Sequence, residues 1–281
     1  MQGVTTVRDL RTAILPWREA GDSVALVPTM GALHEGHRTL VAEAKKIARR
    51  TVASVFVNPL QFGPNEDFGR YPRDLEADRA FLAEASADLL YAPQVSEMFP
   101  ESFAARIDPG PLATVLEGAI RPGHFAGVAT VVTKLLLQAI PDCALFGEKD
   151  YQQLTIVRRL AHDLDIPVHI IGVPIVRDKD GLAFSSRNAY LTPEQRKQAL
   201  LFPQTLATVA EKITAGAPIA ATLKQGHDQL NQAGLKCDYL ELRDAHTFAH
   251  AHELLMPARL LGAIRIGPVR LIDNRAVAAA A

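Results

Sequence analysis

At 281 residues, 48% hydrophobic and 22% charged, the chain has ordinary globular composition and is long enough for one large domain or two moderate ones. Thirty basic against thirty-one acidic side chains give a formal net charge of -1, which leaves no whole-molecule field to draw nucleic acid or an anionic membrane; any anionic ligand needs a local site. The opening MQGVTTVRDL has neither a basic n-region nor an apolar stretch, and no run approaches the roughly 18 apolar residues of a membrane span, so a soluble, cytoplasmic protein without nucleic-acid or membrane partners is expected.

The first predicted strand, SVALVPT (23–29), is a short apolar run that leads directly into MGALHEGHRTL (30–40). Gly31 and Gly36 have the GxxxxG spacing of a phosphate-binding P-loop, but His37 and Arg38 stand where that motif needs Lys and Ser/Thr. The zinc motif HExxH is excluded as well, because His34 and His37 are three positions apart. That spacing places both imidazoles on nearly one face of the first turn of a helix predicted over about 37–50. They are either a capping and packing pair or ligand contacts above a helix N-terminus; a neutral imidazole N–H can donate to phosphate oxygens, and a protonated ring would add charge.

A second strand, TVASVFVN (51–58), ends in NPLQF, whose Asn58 and Gln61 are uncharged donors and acceptors on a loop stiffened by Pro59. Amides suit a substrate with hydroxyls and carbonyls. A helix over about 73–86, a strand DLLYAP (88–93) and a helix over about 125–139 follow, then a strand DCALFG (142–147) and a helix over about 150–163. Lys149 is a cation beside the latter helix start, Asp150 a candidate N-cap and Gln153 one turn on. In YPRD and RPGHF, Tyr71, Arg73, Arg121 and His124 are equally readable as structural hydrogen-bond partners or ligand contacts.

VHIIGVPIV (168–176) is the last of these strands, after which RDKDGLAFSSRN is polar and turn-rich. Helical segments follow near 192–215, interrupted by Pro203, and near 218–233, with CDYLELRD and LLGAIRIGPVRLID as strand candidates and AVAAAA as a frayed tail. Strands buried on both faces and alternating with helices predict a Rossmann-like, doubly wound parallel α/β sheet over 1–176, followed by a smaller C-terminal α+β domain over 177–281. Cys143 and Cys237, far apart and in apolar surroundings, are expected as buried thiols; neither a disulfide nor a structural metal is expected. The polar clusters at 30–37, 58–61 and 149–153 each follow a predicted strand and 185–188 lies beyond the last, so together they outline one site at one sheet edge.

PTMGALHEGH, FVNPLQF, FGEKDYQQL and LAFSSRNAYL, in this order, resemble the pantothenate synthetases (pantoate:β-alanine ligases), members of the HxGH nucleotidyltransferase superfamily. The resemblance covers most of residues 22–195, and VRLIDN (269–274) is similar to a family ending; Phe184 stands where the family has an aliphatic residue. It implies ATP-dependent condensation of pantoate with β-alanine through a pantoyl adenylate, with Mg2+ accompanying ATP, and a homodimer. It further implies that His34, His37 and Lys149 are catalytic and face the phosphates. Met30, Gly31, Gly147, Asp150, Val176 and the mobile segment Ser185, Ser186 and Arg187 would complete the ATP site; Gln61 and Gln153 would hold pantoate, with Asn58 supporting them. A nucleotidyltransferase that stops after transfer, or a nucleotide-sensing module, would share the HxGH element but show no dependence on an amine.

Overall fold

The computed structural model describes residues 1–64 and 66–278; it divides into one unit over Met1–Pro174 and another over Ile175–Ala281. The first unit is built on six strands, β1 (Gln2–Val4), β2 (Val24–Thr29), β3 (Arg50–Val55), β4 (Leu89–Tyr91), β5 (Cys143–Gly147) and β6 (His169–Val173). Their order across the sheet is β1-β4-β3-β2-β5-β6, and every pairing is parallel. The central run Val24–Val27 is fully buried, which is why its sequence shows no alternation: both faces of β2 are covered.

Helices α1 (Val7–Glu19), α2 (Glu35–Ile47) and α3 (Leu75–Glu84), two single-turn helices α4 (Val95–Met98) and α5 (Glu117–Ile120), and α6 (His124–Ala139) and α7 (Tyr151–Asp163) supply that cover. α2 lays Leu40, Val41 and Ala44 against Ala25, Val27, Ala53 and Leu145, and Leu82 of α3 joins the same cluster. α6 lies against β2, and α1 against α6. From β2 the chain builds outward through β3 and β4, then returns to place β5 and β6 on the other flank of β2. The crevice at the carboxyl ends of β2 and β5 is therefore the topological switch point, where α/β sheets bind ligands.

The doubly wound sheet follows the sequence expectation, with differences at element ends. β3 stops at Val55 rather than 58, because a 3-10 turn over Pro59–Gln61 begins after Asn58. β1 and α1 were not anticipated; α1 is capped by Thr6 Oγ1, which accepts the amide of Asp9.

The second unit carries α8 (Pro193–Ala199), α9 (Leu201–Thr214) and α10 (Ile219–Gln232), then antiparallel strands β7 (Lys236–Asp244), β8 (Ala258–Ile266) and β9 (Val269–Val277) in the order β7-β8-β9. Phe202, Leu206, Val209 and Leu230 of the helices meet Leu240, Leu260 and Ile264 of the sheet. The expected interruption at Pro203 is displaced: the break is at Leu200, and Pro203 lies in the first turn of α9, where a missing N–H costs no helical bond. Ala276 and Val277 of the expected tail are the end of β9, and 279–281 lie outside the described residues. Cys143 and Cys237 are buried free thiols, burial pushing Cys237 up to about 12. Among the described residues no helix is long and apolar enough to cross a membrane.

Candidate active site

The turn from β2 into α2 is held from three sides. Thr29 Oγ1 donates to the carbonyl of Ser54 at 2.7 Å and accepts the amide of Gly31 at 3.2 Å. Gly31 and Ala32 then take left-handed φ values of 82° and 51°, and the carboxylate of Asp78 on α3 accepts the amides of Ala32 at 3.2 Å and Leu33 at 2.9 Å. A Cβ at Gly31 would stand 2.6 Å from Asp78 Oδ2, so glycine is required there by space as well as by conformation.

The chain next places His34 at the N-cap of α2 and His37 at its third residue. Nδ1 of His34 accepts the amide of Gly36, and Nδ1 of His37 accepts the amide of His34, both at 3.2 Å. The two rings thus form a reciprocal capping box, a role usually filled by Ser/Thr with Glu/Gln, with centroids 4.1 Å apart. Capping and ligand contact, which the sequence left as alternatives, are compatible: with Nδ1 accepting, the neutral ring carries its proton on Nε2, and each ring keeps an N–H donor on its other nitrogen. Burial, reinforced by the charge of Lys149, lowers His34 to about 4; burial, then His34 and Lys149, lowers His37 to about 3. Both rings are therefore neutral near pH 7.

Those electrostatic effects also locate Lys149. It stands in the 3-10 turn Glu148–Asp150 that follows Gly147, the last residue of β5, within Coulombic reach of both histidines across the switch point. Asp150 occupies the N-cap position of α7, but its side chain makes no capping hydrogen bond, contrary to expectation. The 3-10 turn runs directly into α7, which leaves the carboxylate outside the capping role. Gln153 is half-buried in the first turn of α7. Its neighbour Gln152, not singled out by the sequence, is buried and donates to the carbonyls of Leu112 and Val115 while accepting the amide of Glu117.

Beyond β3, Asn58 and Gln61 are 1% and 7% exposed. Asn58 Oδ1 accepts the amide of Leu60, and Asn58 Nδ2 donates to Gln61 Oε1 at 3.0 Å and to the carbonyl of Gly127 at 3.1 Å. Gln61 Nε2 in turn lies 2.9 Å from Met30 Sδ. This close approach of loop and α6 needs Gly127, where a Cβ would fall 2.2 Å from the carbonyl oxygen of Leu60. Arg121 and His124 both contact the carbonyl of Gln61, at 3.3 and 2.8 Å, and Arg121 pairs with Glu66 at 2.6 Å. Burial and the Arg121 charge lower His124 to about 4. Tyr71 is buried, and Arg73 lies over the Phe68 ring.

In the second unit, the carbonyl of Val176 accepts the amide of Phe184. Ser185 Oγ accepts the amide of Arg187 and opens a 3-10 turn over Ser186–Tyr190. Arg177 binds Asp273 in a bidentate pair at 2.7 and 2.9 Å, and Arg196 reaches Asp178 and Asp180. Three of the four sequence clusters, at 30–37, 58–61 and 149–153, thus stand at the carboxyl ends of adjacent strands of one sheet; the fourth belongs to the second unit. Among the described residues no three His, Cys, Asp or Glu side chains group as a metal site.

A sequence model of the family described as pantoate-beta-alanine ligase matches residues 2–276. A pantothenate synthetase of Paramagnetospirillum magneticum is 57% identical over 272 residues, covering 96% of each chain. Among solved structures, the pantothenate synthetase of Thermus thermophilus is similar with a TM-score of 0.92 and 50% identity, over 98% of this chain and 99% of that one. The pantoate-beta-alanine ligase of Francisella tularensis, complexed with beta-gamma ATP and beta-alanine, is similar with a TM-score of 0.81 and 34% identity, over 98% and 97%. With the fold, the switch-point histidines and full-length similarity agreeing, the chain belongs to the pantoate-β-alanine ligase family.

Proposed function

We propose that the neutral Nε2–H groups of His34 and His37, together with Lys149, face the phosphates of ATP, while Gln61 and Gln153 hold pantoate and Asn58 fixes Gln61. The enzyme is an ATP-dependent ligase that joins pantoate to β-alanine, as its family membership states. In the first step a pantoate carboxylate oxygen attacks the α-phosphorus, the bond to the bridging oxygen breaks and pyrophosphate leaves. In the second the β-alanine amine attacks the acyl carbon of pantoyl adenylate, AMP leaves with the electron pair of the broken C–O bond, and the nitrogen loses a proton. No side chain is acylated, so the protein contributes positioning and charge stabilisation.

The reciprocal histidine cap is the observation that carries this reading. It fixes both tautomers before substrate arrives, so two donors are preorganised where negative charge develops. Met30, Gly31, Gly147 and Asp150 complete the first unit's nucleotide site in this reading; Val176, Ser185, Ser186 and Arg187, in the second unit, are assigned to ATP on the family resemblance alone. The fit for Mg2+ is a single carboxylate: Asp150 is released from capping and stands beside the phosphate-facing lysine, and such ions are held largely by phosphate and water with one or two carboxylates. When bound, the ion would neutralise triphosphate charge.

A homodimer and a cytoplasmic location belong to the same reading. The dimer is supported by the exposed side chains of Leu15, Leu137 and Ile140, where α1 reaches the end of α6 through Arg11 and Arg18; sedimentation tests it. The central test is product analysis with ATP, pantoate and β-alanine: pantothenate, AMP and pyrophosphate in equal amounts are expected, and Gln61→Ala should weaken pantoate. Amine-independent release of a stable nucleotidyl product would overturn the reading.

A further inference from the structure

The two histidines are only as well placed as the turn that delivers them, and that turn is unusual backbone. Gly31 and Ala32 both have positive φ, and the successive amides of Ala32 and Leu33 both donate to one carboxylate. The anion is supplied from within the fold. Asp78, from the first turn of α3 and 4% exposed, accepts the amides of Ala32 and Leu33. Leu33 is the residue before the N-cap, so this bond fixes the backbone one step before His34, whose φ of -146° and ψ of 177° present its ring to the amide of Gly36. A carboxylate is an expensive group to bury; desolvation raises the Asp78 pKa, against the lowering effect of the two amides.

We infer that Asp78 is a positioning residue of the adenylation step: by accepting the amides of Ala32 and Leu33 it sets the tautomers and directions of the His34 and His37 rings, which it does not itself touch. The inference rests on the reading that those rings meet ATP. Asp78→Asn is the discriminating change, because it is nearly isosteric yet turns one acceptor into an NH2 donor facing an amide N–H. Asp78→Ser is its companion: it removes charge and bulk and leaves a hydroxyl that can accept one amide.

Two measurements are made on the full-length protein, both well below the melting temperature. Long-range proton–nitrogen spectra report the tautomers of His34 and His37, and steady-state kinetics with ATP, pantoate and β-alanine report kcat and each KM. In the wild type both rings should show Nδ1 as acceptor and Nε2 protonated. In the variants one or both signals should move toward a mixed-tautomer position, and kcat should fall by about 10-fold to 100-fold, the scale of an ångström-sized misplacement, while the pantoate KM stays within about twofold. Unchanged ring signals in a folded variant would overturn the inference, whatever the activity. So would failure of both variants to fold, which would make Asp78 a residue of stability. The underlying reading fails separately, if His37→Ala retains the wild-type rate while the Asp78 variants still shift the ring signals.

Discussion

Asn58 Nδ2 stands 3.0 Å from Gln61 Oε1, and this bond decides which end of the Gln61 amide is presented as donor. Since Asn58 also satisfies the carbonyl of Gly127 and the amide of Leu60, Asn58→Ala should act twice. It should lower stability by about 1–3 kcal/mol, the cost of leaving buried polar groups unpaired, and raise the pantoate KM as Gln61 loses its orientation. Gln61→Ala should raise the same KM roughly fivefold, as expected for one hydrogen bond of about 1 kcal/mol, with little loss of melting temperature. Equal losses of stability in the two variants would show that Asn58 does no more than Gln61.

Capping and chemistry can be separated at His34. Asparagine is among the preferred N-cap residues, so His34→Asn should hold the melting temperature near wild type while removing the Nε2–H donor. His34→Ala should in addition lose about 1 kcal/mol of helix stability. His37→Ala should lower turnover by about 100-fold to 1000-fold, the usual effect of deleting one donor aimed at developing charge. Restoration of wild-type turnover in His34→Asn would assign that ring to capping alone.

The depressed imidazoles make a pH prediction with a definite sign. His34, His37 and His124 titrate near 4, 3 and 4 in the folded protein and near 6.5 when unfolded. Between those values the unfolded chain binds more protons, so their contribution lowers stability as pH falls below about 6.5 and levels off near pH 3 to 4. Denaturant titrations between pH 7.5 and 4.5 should show this decline. Turnover should show no inflection near 6.5 that His37→Ala abolishes; such an inflection would mean that a charged ring participates.

If pantoyl adenylate forms before the amine enters, labelled pyrophosphate should exchange into ATP with pantoate present and β-alanine absent. Lys149→Ala should depress that exchange strongly if, as proposed, its charge acts on the triphosphate. Exchange that requires β-alanine would refute the order of steps. Normal exchange in Lys149→Ala, with only the complete reaction slowed, would move the lysine to the second step.

How much of this was legible in the sequence depends on the range of the interaction. The buried runs at 24–27 and 143–146 announced parallel strands because burial on both faces leaves a continuous apolar signature, and the polar residues after each strand marked the sheet edge of the candidate site. The three residues of β1 are too few to show a period, and α1 has its Thr6–Asp9 cap in polar sequence and Pro16 inside it, so both went unread. Asp78 left no local trace, since its partners are backbone amides 45 and 46 positions away and backbone has no letter code. Arg121 and His124 were visible as residues but not as roles; only the position of the Gln61 carbonyl shows that they clamp the loop.

The strand order has a consequence for biosynthesis. β5 pairs directly with β2, although β3, β4 and the helices α2 to α6 lie between them in the chain. A nascent chain that has emerged only as far as Gln138 already contains both histidines, Asn58 and Gln61, yet lacks the strand that carries Lys149 to them. Since domains are completed as the chain leaves the ribosome, the turn that carries Lys149 can join the two histidines only after β5 is made and pairs with β2. A chain halted before β5 therefore carries both histidines without the cation that stands near them in the finished sheet.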